Sequence, residues 1–181
     1  NKAIQAGKIQ FIGLSNETPW GLNEYLKLSE KHNLPRIVSM QNEFSLLHAN
    51  DNPLLLENCA IEDVAYLPWS PLAGGALTGK YSRGIPEGSR WSREQRHGIF
   101  RDTDLVHKAV AEYTELAEKN NMTPGQLALR WCNQVDGVTS SIFGATTMDQ
   151  LKENVAAFEN TLSEELMADI LEIFKKYPIP F

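Results

Sequence analysis

Short β-branched runs alternate four times with segments of helical period along this chain, and that alternation confines it to parallel β/α architecture. Lys8 to Leu14 reads as the first strand, followed by a helix over roughly Trp20 to His32 whose start is signalled by Asn16 and Thr18. Arg36 to Met40 is the second strand. Asn52-Pro53 then opens a short helix, since proline suits a first helical turn. Asp63 to Leu67 is the third strand, apolar on both sides as a covered parallel strand should be. Val138 to Phe143 is the fourth. Thr147 caps the next helix, Gln150 completes a capping box, and Met148, Leu151, Val155 and Phe158 share one face. Other helices are expected from about Asp104 to Asn120 (Val106, Val110, Tyr113 and Ala117 buried), from Thr123-Pro124, and from Ser163 (Leu166, Ile170, Phe174).

Four β/α units make either a small open sheet or half of an eight-stranded barrel. As barrel strands they cannot close alone, because two edges stay unpaired and the inward faces stay wet. Residues 1–181 are therefore expected to form a single partial domain, either a fragment or a half that pairs with a partner chain. Asn1 to Gly7 reads as the end of a helix whose beginning lies upstream. Between the third and fourth strands, residues 70–101 are rich in Gly, Pro, Ser and charge and read as one long extended loop. In it, Trp91 and Phe100 either line a substrate pocket or pin the loop down.

Composition works by exclusion. A net charge of −6 with no basic cluster argues against nucleic acid as a partner. No run of about 18 apolar residues offers a membrane span, and the first eight residues lack the apolar core of a secretory signal. Cys59 and Cys132 stand far apart in apolar surroundings, as two buried thiols in a reducing cytoplasm would. His32, His48, His97 and His107 show no metal-ligand spacing.

The chemistry-bearing residues follow the strands: Ser15-Asn16, Gln41-Asn42, Trp69-Ser70 and Gly144-Ala145-Thr146. In a β/α barrel that rim is where ligands bind. Each cluster alone could be a cap or a turn, but four on one rim suit a nicotinamide nucleotide. A carboxamide needs both donors and acceptors, which Ser, Asn and Gln side chains supply, and Trp69 offers a flat face for the ring. The glycine-rich segment from Leu72 to Lys80 lets backbone amides approach a pyrophosphate, and Lys80 adds charge. The helix starting at Thr147 presents free N–H groups to a phosphate near Gly144 to Thr146. Gly74 to Lys80 also matches the opening of a P-loop. Tyr81 stands where a Ser or Thr would ligate magnesium, however, and Pro86 forbids the required helix. No Gly-x-Gly-x-x-Gly is present, so the dinucleotide site is not of the Rossmann type.

Gly13-Leu14-Ser15-Asn16, Gln41-Asn42, Trp69-Ser70-Pro71-Leu72-Ala73-Gly74-Gly75 with Thr78-Gly79-Lys80-Tyr81, and Gly144-Ala145-Thr146 with Gln150-Leu151 and Glu153-Asn154 together resemble the aldo-keto reductases. The likeness is greatest to the branch containing Tas-type reductases and potassium channel β subunits. It covers essentially the whole chain, as the C-terminal half of the family barrel. The resemblance implies a (β/α)8 TIM barrel, NADPH-dependent reduction of a small carbonyl compound, and NADP(H) bound without a Rossmann fold. It implies that Ser15, Asn16 and Gln41 meet the nicotinamide carboxamide and that Trp69 stacks on the ring. Ser70, Pro71, Leu72, Gly74 and Lys80 match the positions around the pyrophosphate and ribose, and Arg90 matches a loop arginine reaching the adenosine side. Gly144 and Thr146 match positions near the 2′-phosphate, and Gln150, Glu153 and Asn154 match those at the adenine.

The family's catalytic Asp, Tyr, Lys and His come from the first half of its barrel. No motif selects Tyr25, Tyr66, Tyr81, Tyr113 or Tyr177 for that role, so no catalytic residue is assigned to this chain. The principal reading is the cofactor-binding half of a longer NADPH-dependent enzyme. The alternative is a truncated, non-catalytic structural or interaction subunit that keeps the fold.

Overall fold

The computed structural model describes residues 1–93 and 99–181. It is an α/β structure around a three-stranded parallel sheet in the order β1-β2-β3. The strands are β1 (Ile12–Ser15), β2 (Ile37–Gln41) and β3 (Ala65–Tyr66). The helices are α1 (Lys2–Gln5), α2 (Pro19–Lys31), α3 (Leu54–Ile61), α4 (Asp104–Lys119), α5 (Pro124–Gln134), α6 (Met148–Ala156) and α7 (Glu164–Lys176). No described helix is long and apolar enough to cross a membrane.

Register assigns the two sheet faces opposite fates. Leu14, Met40 and Tyr66 form one cross-strand row, and Met40 and Tyr66 are wholly buried beneath the helices. Gly13, Ser39 and Ala65 form the neighbouring row, and Ser15 pairs with Gln41 in the next. Because successive side chains point to opposite faces, these small and polar residues occupy the open face. There β1 and β2 approach closely: a Cβ on Gly13 would stand 2.2 Å from Ser39 Oγ and 2.9 Å from its carbonyl oxygen. Gly13→Ala is accordingly expected to cost about 1–3 kcal/mol through overpacking, read as a lower urea midpoint. An unchanged midpoint would show that β1 shifts freely against β2.

On the covered side, Phe44 stacks on Trp131 at 5.3 Å between ring centroids and meets Tyr66 edge-on at 5.9 Å. Leu127, Tyr113 and Leu55 complete this core, and each such side chain contributes roughly 1.5–3 kcal/mol by leaving water. Helix boundaries are set locally. The hydroxyls of Thr18, Thr103, Thr123, Thr147 and Ser163 each accept an N–H from the first turn of the helix they precede.

Several expectations are corrected. The first strand begins at Ile12, not Lys8, because among the described residues only β2 flanks it and pairing starts at Ile12 opposite Ile37. Residues 138–143 run parallel to β3 without forming a strand. Their links are isolated bridges from Val138 to Tyr66 and from Ile142 to Trp69. Pro68 has no N–H to offer a ladder, and the Tyr66 N–H is taken by Thr139 Oγ1 at 3.1 Å. The shared apolar face of α6 is largely open. Met148 is 63% and Val155 52% exposed, with Leu151 and Phe158 also open, while Asn154 turns inward. Gln150 does not complete a capping box with Thr147; its Oε1 accepts the N–H of Thr146, one residue earlier.

The long loop is not uniformly extended. Ala73–Thr78 is wound into a 3-10 helix through left-handed Gly74 and Gly75, and Ile99–Arg101 forms another 3-10 turn. Residues 94–98 of that loop, including His97, lie outside the described residues. Trp91 pins the loop: its buried ring lies parallel to Tyr81 at 3.8 Å. Phe100 is largely exposed.

Candidate functional site

The C-terminal ends of the three strands bring four of the expected residues together. Ser15 and Gln41 end their strands as register partners. Asn16 turns the chain out of β1 in the left-handed region (φ 55°), its N–H donating to the Gln41 carbonyl at 3.1 Å. Its carboxamide donates to Ser15 Oγ and accepts the indole N–H of Trp69, each at 3.2 Å. The Trp69 ring is thus fastened edge-on to the residue beside it in space, which leaves the flat face as its remaining contact surface. Ser15, Asn16 and Gln41 are all exposed, so their donors and acceptors are open to a planar amide.

A second group follows Trp69 directly. Ser70, also left-handed (φ 61°), accepts the Gly74 N–H on its Oγ at 3.0 Å, which tightens the turn Ser70-Pro71-Leu72-Ala73. Around Gly74 the space is occupied by groups suited to an anion. A side chain there would stand 3.7 Å from Trp91 Nε1, 3.8 Å from Arg90 Cδ and 3.9 Å from an Arg101 guanidinium nitrogen. The Trp91 N–H is buried and has no hydrogen-bond partner among the described residues. Lys80 folds its ammonium back over the glycine pair, where a Cβ on Gly75 would meet it at 2.7 Å.

The third group stays apart. Gly144 and Thr146 are exposed on the segment leading to α6, and the Thr146 N–H and hydroxyl donate to Gln150 Oε1 at 2.9 and 3.0 Å. Glu153 accepts the Thr123 hydroxyl at 2.8 Å and so ties α6 to the start of α5. Asn154 is buried. Among the described residues no hydrogen bond joins Gln150, Glu153 or Asn154 to the Trp69 cluster. The Ile142–Trp69 bridge is what sets this segment beside the rim.

Two features escaped the sequence reading. Behind Asn16, the buried Asn42 carboxamide accepts the Glu17 N–H (3.2 Å) and donates to the Glu17 carbonyl and to Asp51, both at 2.9 Å. Asp51 also accepts the Tyr66 hydroxyl at 2.6 Å. Burial first, and then this hydrogen bond, push the Tyr66 phenol far above its ordinary range, so it remains a neutral donor. Beside Gln41 and Asn42, Glu43 forms a buried ion pair with Arg101. The Arg101 guanidinium lies over Phe100 (4.2 Å) and near Phe181 (5.3 Å), and burial draws it down to about 10. Asn42 was named with Gln41 at its strand end, though not its partners; Glu43 follows directly, which was a usable signal. Asp51 and Arg101 lie in loops with no motif to mark them.

The family model for the aldo/keto reductase family matches residues 1–175. The chain is 42% identical to the protein tas of Escherichia coli K12, over 97% of this chain and 51% of that protein. It is 33% identical to an L-glyceraldehyde 3-phosphate reductase of Escherichia coli O157:H7, over 93% and 50% respectively. It is 34% identical to a putative voltage-gated potassium channel subunit beta of Schizosaccharomyces pombe, over 97% and 53%. The chain thus spans about half the length of the curated relatives it matches.

Proposed function

Because the chain belongs to the aldo/keto reductase family, we propose that the protein carrying it reduces an aldehyde or ketone with NADPH, residues 1–181 supplying the cofactor-binding half of a (β/α)8 barrel. The observation that carries this reading is the joining of Ser15, Asn16, Gln41 and Trp69 at three adjacent strand ends. Ser15, Asn16 and Gln41 would hold the carboxamide, with the Trp69 face against the ring. Ser70, Pro71, Leu72, Gly74 and Lys80 would enclose the pyrophosphate and ribose. The buried Trp91 N–H, without a partner among the described residues, and the Lys80 ammonium folded over Gly75 support an anion in this cradle. Arg90 and Lys80 supply the positive charge that favours NADPH over NADH. Gly144 and Thr146 would face the 2′-phosphate, and Gln150, Glu153 and Asn154 the adenine end.

NADPH, when bound, supplies the hydride; the residues of this chain bind and orient it. The proton donor is proposed to lie outside residues 1–181. The Tyr66 hydroxyl is spent on Asp51, that of Tyr177 on Glu112, and Tyr81 lies buried against Trp91. Two uncovered apolar surfaces support a missing half: Phe11 and Trp20, 72% and 74% exposed, beside β1, and the open face of α6. The same surfaces would serve the second reading, a non-catalytic subunit covered by a partner chain.

Intact mass and NADPH-dependent carbonyl reduction by the native protein test both readings. A mass near twice 20.3 kDa with turnover supports the enzyme; a mass near 20.3 kDa without turnover favours the subunit. Trp69→Ala is expected to weaken NADPH binding about tenfold, since it removes both the stacking face and the hold on Asn16. Fluorescence titration checks this, and unchanged affinity would remove Trp69 from the site.

A further inference from the structure

We propose that Asn42, Asp51 and Tyr66 are positioning residues for the nicotinamide end of the site, acting as a part-buried relay that fixes the backbone of Glu17 and thereby the left-handed turn at Asn16. The proposal rests on the reading of Ser15, Asn16, Gln41 and Trp69 as the nicotinamide site.

The relay begins with the geometry at Asn16. A non-glycine residue at φ 55° is uncommon and persists where its surroundings over-determine it. On its N-terminal side Asn16 is held by the ladder contact to Gln41. On its C-terminal side it is held through Glu17. There Asn42 engages both backbone polar groups, accepting the N–H and donating to the carbonyl. A single side chain thus does for Glu17 what a neighbouring strand would do, at the point where β1 has ended and no ladder remains.

Asn42 can do this only in one orientation of its amide. With its Oδ1 toward the Glu17 N–H, its two Nδ2 hydrogens serve the Glu17 carbonyl and Asp51. A carboxylate accepts and never donates when ionised, so Asp51 dictates which end of the amide faces it. Asp51 sits in the loop between β2 and α3 and is itself oriented by the phenol of Tyr66, which is wholly buried in β3. Three strand ends are therefore coupled through three side chains, none of which belongs to the exposed rim. Each is expected to act on the cofactor through Asn16, with no contact of its own.

The test uses the full-length protein with Tyr66→Phe and Asp51→Asn, both close in shape to the native residues, and two probes. One probe is NADPH; the other is adenosine 2′,5′-bisphosphate, which has the adenine end and no nicotinamide. Fluorescence or calorimetric titration is expected to show NADPH binding weakened about tenfold in each variant, with the affinity for the bisphosphate unchanged. The same variants should leave less Trp69 fluorescence quenching at saturating NADPH. Equal weakening of both probes would mean a merely structural role and overturn the proposal. NADPH affinity within twofold of the unsubstituted protein in either folded variant would overturn it as well. If one variant does not fold, the other decides on the same criteria, and if neither folds the network is structural and the proposal fails. An unsubstituted protein that binds neither probe would sink the cofactor reading, and this proposal with it.

Discussion

Raising the pH from 9 to 11 is expected to remove about 4 kcal/mol of folding stability through Cys59 and Cys132 alone. Both thiols are free and fully buried. Burial pushes each from an ordinary value of 9.0 up to about 11. Asp51 adds to the effect at Cys59, while the Ser141 hydroxyl bonded to Cys132 opposes it slightly. Below pH 9 both states keep these protons. Above it the unfolded chain releases them and the folded chain does not, so the unfolded state is favoured until the folded values are passed. Burial also raises the phenols of Tyr66 and Tyr113, and they act in the same direction above pH 10. Arg101, lowered to about 10, acts in the opposite direction there and offsets only part of the phenols' effect, so the loss is steepest near pH 10, midway between the unfolded and folded values of the thiols. Urea unfolding of the full protein across this range measures the fall. Comparison with a Cys59→Ala, Cys132→Ala variant isolates the thiols. Parallel pH profiles for the two proteins would show that the thiols titrate as freely when folded as when unfolded.

Glu43→Ala is expected to cost about 3–5 kcal/mol at neutral pH. The Arg101 and Glu43 side chains are only 4% and 13% exposed, so removing the carboxylate leaves a buried charge with no counter-ion among the described residues. Glu43→Gln keeps an acceptor and should lose less. Adding Arg101→Met to Glu43→Ala should recover much of the deficit, because the lone charge is then gone and an apolar chain fills the space between Phe100 and Phe181. The urea midpoints of the unsubstituted protein, the single variants Glu43→Ala and Arg101→Met, and the double variant form a double-mutant cycle. A near-zero effect of Glu43→Ala would mean that Arg101 swings into water when released. The pair also fastens the far end of the long loop to the end of β2, so proteolysis near residue 101 should accelerate in Glu43→Ala.

The helices were legible because their signals are local. Thr18, Thr103, Thr123, Thr147 and Ser163 announce their starts, and the 3.6-residue period of α4 names its buried face correctly. The strands were less so, since a strand's extent depends on its neighbours. Lys8 to Phe11 has β-forming residues and no partner on its outer side, and residues 138–143 meet a neighbour interrupted by Pro68. The α6 face shows the same limit from the helix side: the period was read correctly, yet Met148, Leu151 and Val155 stay exposed while Phe158 stacks on Phe143. At the site, the residue types at strand ends gave Ser15, Asn16, Gln41 and Trp69. The hydrogen bond that unites Trp69 with Asn16 spans 53 positions and has no sequence signature. Asp51 and Arg101 gain their importance only from groups folded against them.

The parallel stacking of Trp91 on Tyr81 governs how this region can drift. It closes off residues 82–90 as a separate excursion, and residues 82–88 are all exposed. Lengthening a loop whose ends are already clamped costs only about 0.6 kcal/mol for each doubling. Insertions and deletions within residues 82–88 can therefore accumulate without disturbing Gly74, Lys80 or Arg90. Descendants of this sequence are free to acquire new surface decorations at that point while the turn around Gly74 behind the stack keeps its shape.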